Sequence, residues 1–319
     1  MNRMASYLLN LSRRFQLLLL CVVVGLIGFC GLLITPRSDF PTGRILTVPK
    51  GTTVRETATF LYQNKVIRFP ALFVLLDRAG IQAGGYLLDR PQNVFSIAAR
   101  FRNGEFRLPQ ISIVFPEGIT IKEMARRCAA ALTLCDQKTF EELAKTKEGY
   151  LFPDTYYFLG DAKASDVIDR LETHFIEKIQ PLETEIARSG KSKSQIITMA
   201  SIIEEEANTS ESRKIVSGIL WKRLAAGMPL QADATLGYVT GKGSHDLTVS
   251  DLASPSPYNT YTHTGLPPTP ISNPGLSAID AALHPQASPY WYYLTDRSGT
   301  FYYARTFEEH KQNKARYLQ

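Results

Sequence analysis

Gln195-Ile-Ile-Thr-Met-Ala-Ser-Ile-Ile-Glu204-Glu205-Glu206-Ala207 reads as a helix that ends in three consecutive acids. Ile196, Ile197, Ala200, Ile203 and Ala207 recur at helical spacing and share one face. At about 100° per residue, Glu204 lies on one edge of that apolar stripe and Glu206 on the other, while Glu205 points to solvent. A carboxyl group held against apolar neighbours has its charged form disfavoured, which raises its pKa. A general acid working near neutral pH needs that property. A solvated, Glu-rich helix end is the alternative from periodicity alone.

The N-terminal segment has a different character. From Phe15 to Ile34 the chain is apolar except for Gln16 and small residues. Twenty helical residues at about 1.5 Å each span about 30 Å, the thickness of a bilayer core. Arg3, Arg13 and Arg14 precede the run, which predicts a cytoplasmic N-terminus. A cleaved signal peptide is the competing reading. The run is longer than a usual signal core, and Gly31-Leu32-Leu33-Ile34-Thr35-Pro36 offers no small-residue cleavage site. A retained anchor over 15–35 is therefore expected, after a short tail at 1–14, with the rest of the chain across the membrane.

The formal net charge is +6, and residues 1–44 carry five Arg against one acid, Asp39. The remainder holds 31 basic and 29 acidic residues, so no strong basic field remains for nucleic acid. Outside the apolar run the cysteines are Cys128 and Cys135. They close a small loop if oxidised, and are otherwise two buried thiols. No Cys/His spacing suggests a metal.

The remaining chain is long enough for two domains. It holds a faint repeat. Val48-Pro-Lys-Gly51-Thr-Thr-Val54-Arg-Glu56-Thr-Ala58 resembles Phe115-Pro-Glu-Gly118-Ile-Thr-Ile121-Lys-Glu123-Met-Ala125, offset by 67 residues. Each reads as a strand (Ile45–Val48, Ile111–Phe115), a Pro/Gly turn and a helix opened by Thr52 or Thr53 and by Thr120. Gly85-Tyr86-Leu87 and Gly149-Tyr150-Leu151 recur at an offset of 64. Such a duplication suits an extended polymer, or is only a scaffold. Further helices are expected over 166–179 with Ser165 as cap, 182–189, 213–226 and 276–283, with a strand over 291–294. Six prolines lie between Ser254 and Gly275, which makes an irregular but rigid loop. Its Tyr258, Asn259, Tyr261, His263 and Asn273 suit the wall of a sugar groove.

Seven stretches in register carry a resemblance. They are Glu148-Gly-Tyr-Leu-Phe-Pro-Asp-Thr155, Ala200-Ser-Ile-Ile-Glu204-Glu-Glu206, Leu230-Gln-Ala-Asp233, Ser256-Pro-Tyr-Asn-Thr-Tyr261, Gly265-Leu-Pro-Pro268, Ile271-Ser-Asn-Pro-Gly275 and Phe307-Glu-Glu-His-Lys-Gln-Asn313. Together they resemble the MltG/YceG-like family, the endolytic murein transglycosylases. Ala207, Thr269 and Ala232-Asp-Ala depart from the usual Thr, Gly and Thr-Asp-Pro, which touches groove shape rather than chemistry. The resemblance implies an α+β chain. A transmembrane helix precedes a small LysM-like module (36–147), and a mixed α+β catalytic domain (148–319) follows. It places the protein in the inner membrane with its catalytic part in the periplasm, and peptidoglycan synthases as partners. No cofactor is implied.

The resemblance also implies cleavage of the bond between N-acetylmuramic acid and N-acetylglucosamine without water, with Glu204 as the catalytic acid. Gln231, Asp233, Tyr258 and Asn259 are expected to line the groove. Asp233 has a plainer reading, as the cap of a turn after Gln231. Glu206 is either a second groove acid or a structural partner for a basic residue such as Arg213. Two other classes remain: a water-using muramidase that pairs Glu204 with Asp233, and a non-enzymatic wall-binding anchor.

Overall fold

The computed structural model describes residues 2–77, 80–243 and 246–318, with side chains of the first helix described at Phe15 and from Leu18 onward. That helix, α1, runs Asn2–Ile34. The described apolar side chains, Leu18 to Leu20, Val22 to Val24, Leu26 and Ile27 among them, are exposed. Arg3, Arg13 and Arg14 lie outside the described side chains. Among the described residues no helix is long and apolar enough to cross a membrane. The rest is α+β, with small antiparallel sheets, and falls into two compact units, 1–109 and 110–319.

In the first unit, β1 (Ile45–Val48) is followed by α2 (Val54–Gln63), α3 (Pro70–Leu76), β2 (Gly84–Leu87) and α4 (Val94–Asn103). Thr53 caps α2 in a reciprocal box with Glu56, so two otherwise orphaned donors are satisfied. Strand β1 pairs antiparallel with β2, with Leu46 opposite Tyr86. Leu46, Leu61, Phe73, Tyr86, Ile97 and Phe101 fill the core, and the rings of Tyr86 and Phe101 stack 3.8 Å apart.

The second unit opens with the same order: β3 (Gln110–Val114), α5 (Ile121–Ala131), α6 (Gln137–Ala144) and β4 (Thr155–Leu159). Thr120 caps α5, as expected from the repeat. The second strand of the repeat needs a correction. The residue opposite Ile113 is Tyr156, so Tyr156 and not Tyr150 is the counterpart of Tyr86. The hydroxyls of Tyr86 and Tyr156 each donate to the carbonyl four residues earlier, of Gln82 and Phe152, both at 2.7 Å. Gly149-Tyr150-Leu151 precedes β4, because the second copy has a longer approach to its last strand. Cys128 and Cys135 form a disulfide with Cα atoms 5.8 Å apart, tying the end of α5 to the turn before α6.

Helices α7 (Ala164–Ile179), α8 (Glu183–Arg188), α9 (Lys193–Glu206), α10 (Ser210–Ala225), α11 (Asp233–Thr240), α12 (Val249–Leu252) and α13 (Leu276–Leu283) follow. The chain closes with the hairpin β5 (Tyr292–Thr295) and β6 (Phe301–Ala304), then α14 (Phe307–Tyr317). The first of these helices begins before Ser165; its cap is Lys163, whose N–H donates to Asp166 at 2.9 Å. Helix α9 is the centre of the unit. A reciprocal Ser192–Gln195 box opens it. It is not one-sided: every residue from Ile196 to Ile203 is buried, because α8, α10, α11 and α13 all pack around it. Thr198 and Ser201 are buried with the rest, and Ser201 both donates to Thr198 O at 2.8 Å and accepts from the Ile271 N–H at 3.0 Å. Only the last turn, with its three acids, leaves the core.

Candidate active site

Glu204 stands where α9 emerges from that core, with its side chain 5% exposed. One carboxylate oxygen is paired with the Arg213 guanidinium from α10. The other accepts the Gly275 N–H at 2.9 Å. Arg213 is itself aimed by a bond from its Nε to Ala207 O at 2.9 Å, and it reaches Glu117 at 3.9 Å. Burial raises the Glu204 pKa, and the nearby Glu117 charge adds to this; the Gly275 N–H and Arg213 pull it down, and the balance lies above the ordinary value. The C-terminal end of a helix also disfavours a negative charge. A Cβ at Gly275 would fall 1.7 Å from Glu117 Oε1, so any larger residue there would displace the Glu117 side chain from its place beside Arg213.

Glu206 belongs to a second cluster. Burial pushes its pKa up to about 7, against the Tyr293 hydroxyl that donates to it at 2.9 Å. The Asp233 charge also raises it. Asp233 opens α11 and accepts from the Tyr261 hydroxyl. Arg213 pairs with Glu204 and Glu117, not with Glu206. Glu205 is exposed, as its angular position requires.

The groove candidates separate. Gln231 is exposed, in a left-handed backbone conformation at φ 54° that is held by its N–H on Thr260 O at 3.0 Å. Tyr258 packs on Tyr238 with ring centroids 5.3 Å apart and shares a 2.7 Å hydrogen bond with Thr269. Asn259 is fully buried. Its amide donates to Leu252 O and Ser254 O at 3.0 and 2.8 Å and accepts from Tyr261 N–H at 3.0 Å. It therefore braces the proline-rich loop from within and is no part of the groove wall.

Asn273, expected on the groove wall but fully buried, and Glu148 hold the site together. Asn273 Nδ2 donates to Glu148 at 2.8 Å and to Ile119 O at 2.9 Å, while its Oδ1 accepts from the N–H groups of Gly149 and Leu151 at 2.9 and 3.0 Å. An antiparallel bridge joins Ile119 to Asn273. Glu148 also accepts from the Ile121 N–H at 3.1 Å and the Tyr238 hydroxyl at 3.2 Å. Burial lifts its pKa to about 7. The second β–α–α–β copy is thereby built into the site, two residues from the Gly275 N–H that meets Glu204. Both residues sat inside motifs already noted, but nothing local marked them as partners.

The chain that carries this arrangement, a buried carboxyl held by a cation and a backbone donor at the end of a central helix, has known relatives. The YceG-like family profile matches residues 46–316. The chain belongs to the YceG-like family. A Bacillus subtilis (strain 168) relative named endolytic murein transglycosylase is 30% identical over 313 residues, covering 88% of this chain and 87% of the relative. A Streptococcus pneumoniae (strain D39) relative of the same name is 25% identical over 317 residues, covering 85% of this chain and 58% of that longer protein. The crystal structure of a YceG-like protein from Listeria monocytogenes superposes with a TM-score of 0.57 at 32% identity, covering 84% of this chain and 98% of that one.

Proposed function

We propose that this chain is an endolytic peptidoglycan lytic transglycosylase. It cleaves the bond between N-acetylmuramic acid and N-acetylglucosamine within a strand and leaves 1,6-anhydro ends. The observation that carries the reading is the environment of Glu204, on a YceG-like chain whose relatives bear that activity in their names. Burial favours the neutral acid, which protonates the leaving oxygen. The positive charge that develops at C1 is shared with the substrate's acetamido group. Arg213 and the Gly275 N–H favour the carboxylate, which then takes the proton of the C6 hydroxyl as that oxygen attacks C1. One carboxyl group thus acts as acid and base in turn, and no water enters the products. Gln231, Asp233 and Tyr258 are assigned to the groove, with Asn259 shaping it from behind.

The N-terminal run is assigned as a single-pass inner-membrane anchor with the catalytic part in the periplasm. The basic flank supports this, as do the exposed apolar side chains of α1. The Cys128–Cys135 disulfide supports an oxidising compartment. A reporter fused after Gln319 is expected to be active only outside the cytoplasm; a shortened, freely soluble mature form would overturn this assignment. Residues 36–147 are assigned to wall binding as a LysM-like module and 148–319 to catalysis, with peptidoglycan synthases as partners on nascent strands.

The water-using alternative pairs Glu204 with Asp233, but the carboxyl group that the Asp233 charge acts on is Glu206. Mass spectrometry of products from purified peptidoglycan separates the readings. Anhydro ends support the transglycosylase, reducing ends support the muramidase, and intact strands leave only a wall-binding anchor.

A further inference from the structure

A cavity of about 370 Å³ opens beside the site in the second unit, lined by Thr120, Ile121, Lys122, Glu141, Lys145, Glu148 and Tyr238. Four of these seven residues are charged and one carries a ring, unlike the aromatic and amide wall that suits a neutral sugar. Lys122 and Lys145 are exposed and have no ion-pair partner among the described residues. Glu148 forms the floor, nine-tenths buried and hydrogen-bonded by Ile121, Tyr238 and Asn273.

The cavity adjoins the reaction centre by two routes. Tyr238 packs on Tyr258, the groove candidate. Glu148 is bonded to Asn273, and Gly275, two residues further on, donates to Glu204. Two extended residues span about 7 Å.

We propose that this cavity receives the charged peptide stem borne by the muramic acid next to the scissile bond, with Lys122 and Lys145 recognising its carboxylates. The inference rests on the transglycosylase reading and names a further subsite of that substrate. The stem leaves the sugar from the lactyl group, adjacent to the bond that breaks. Three to five residues extend about 10–18 Å, enough to reach from Glu204 past Asn273. Stems carry free carboxylates and an amine, so two lysines beside Glu141 match their charge pattern. Exposed pairs of this kind contribute modestly one by one, and together they decide between stem-bearing and bare strands.

The test uses the full chain and two substrates: intact strands, and the same strands stripped of stems by an amidase. For the Lys122→Gln/Lys145→Gln variant, kcat/KM on intact strands is expected to fall about 10-fold, through KM, with activity on stripped strands unchanged. Equal losses on both substrates, or no loss on either, would overturn the proposal. If the wild type makes no anhydro ends from either substrate, the reaction assignment fails instead. Titration of an isolated stem tetrapeptide then still decides: binding lost in the double variant supports the cavity, and no binding by the wild type sinks it.

Discussion

Arg213 pairs with Glu204 across the gap between α10 and the end of α9, although burial works to keep Glu204 neutral. The two influences are opposed by construction. An acid that must release and recover a proton within one turnover needs both forms within reach. Removing the cation removes a force that favours the carboxylate. In Arg213→Met the Glu204 pKa is therefore expected to rise, and the alkaline limb of the kcat/KM profile to move to higher pH. An unchanged limb would show that Arg213 has no electrostatic hold on the acid. The variant is also expected to be destabilised, because Glu117 and Ala207 O lose a buried partner.

A single carboxyl acting twice has its own pH signature. Only the protonated form of Glu204 starts the reaction. The kcat/KM profile is expected to be flat on the acid side of its raised pKa and to fall with rising pH above it. A muramidase built on two carboxyl groups requires one ionised and one protonated, and gives a bell. A symmetrical bell lost on Asp233→Asn would favour the two-carboxylate mechanism.

The clamp between Asn273 and Glu148 gives a stability prediction. The folded Glu148 pKa, about 7, lies above the ordinary glutamate value of 4.5 that applies in the unfolded chain. Between those pH values the folded state binds more protons, so stability is full below about 4.5 and is lost as pH rises through about 7. Thermal melts of Glu148→Gln are expected to show a shallower decline over that window than the wild type. Parallel curves would show that Glu148 does not titrate there. Asn273→Ala removes one of the three donors to the Glu148 carboxyl and takes the side-chain acceptor from the Gly149 and Leu151 N–H groups, and is expected to cost about 3 kcal/mol or more.

Local chemistry explains what the sequence made legible. The caps at Thr53 and Thr120, the duplicated strand–turn–helix and the edge position of Glu204 all follow from residues within a few positions of one another. The determinants of the site were hidden by distance along the chain. Asn273 meets Glu148 across 125 residues and Gly275 meets Glu204 across 71. The burial of Asn259 is not legible locally, because an amide in a proline-rich loop reads the same whether it faces a sugar or its own backbone. The all-round burial of α9 depends on four neighbouring helices that periodicity does not see. The Tyr150 match failed because one short motif outweighed strand register, which alone identifies Tyr156.

The disulfide closes a short loop, with a sequence separation of 7. Constraint of the unfolded chain over a loop of that size is worth about 2–3 kcal/mol. Cys128→Ser/Cys135→Ser is expected to unfold at correspondingly lower denaturant while keeping its activity in the cold, because the bridge joins α5 to α6 and touches none of the acids. Equal stability of oxidised and reduced protein would show that the bond contributes nothing.

Glu204→Gln bears most directly on the mechanism. Glutamine keeps the shape of the side chain and an oxygen for the Gly275 N–H or Arg213, but it has no proton to give and accepts none at working pH. Positioned proton transfer is worth roughly 10²–10⁴ in rate, and here both the acid and the base step are lost. Release of anhydro-muropeptides is expected to fall by at least that factor. The fold and strand binding are expected to persist, with a lowered melting temperature because buried Arg213 loses its charged partner. Glu205→Gln, on the exposed side, is expected to be close to wild type. Glu206→Gln is expected to fall between them, since Tyr293 still finds an acceptor while the coupling to Asp233 is removed. Near-normal release by the Glu204 variant, or a loss confined to Glu205, would move the acid elsewhere. Asp233 is the next candidate, because it shares its cluster with Glu206 and the Tyr261 hydroxyl.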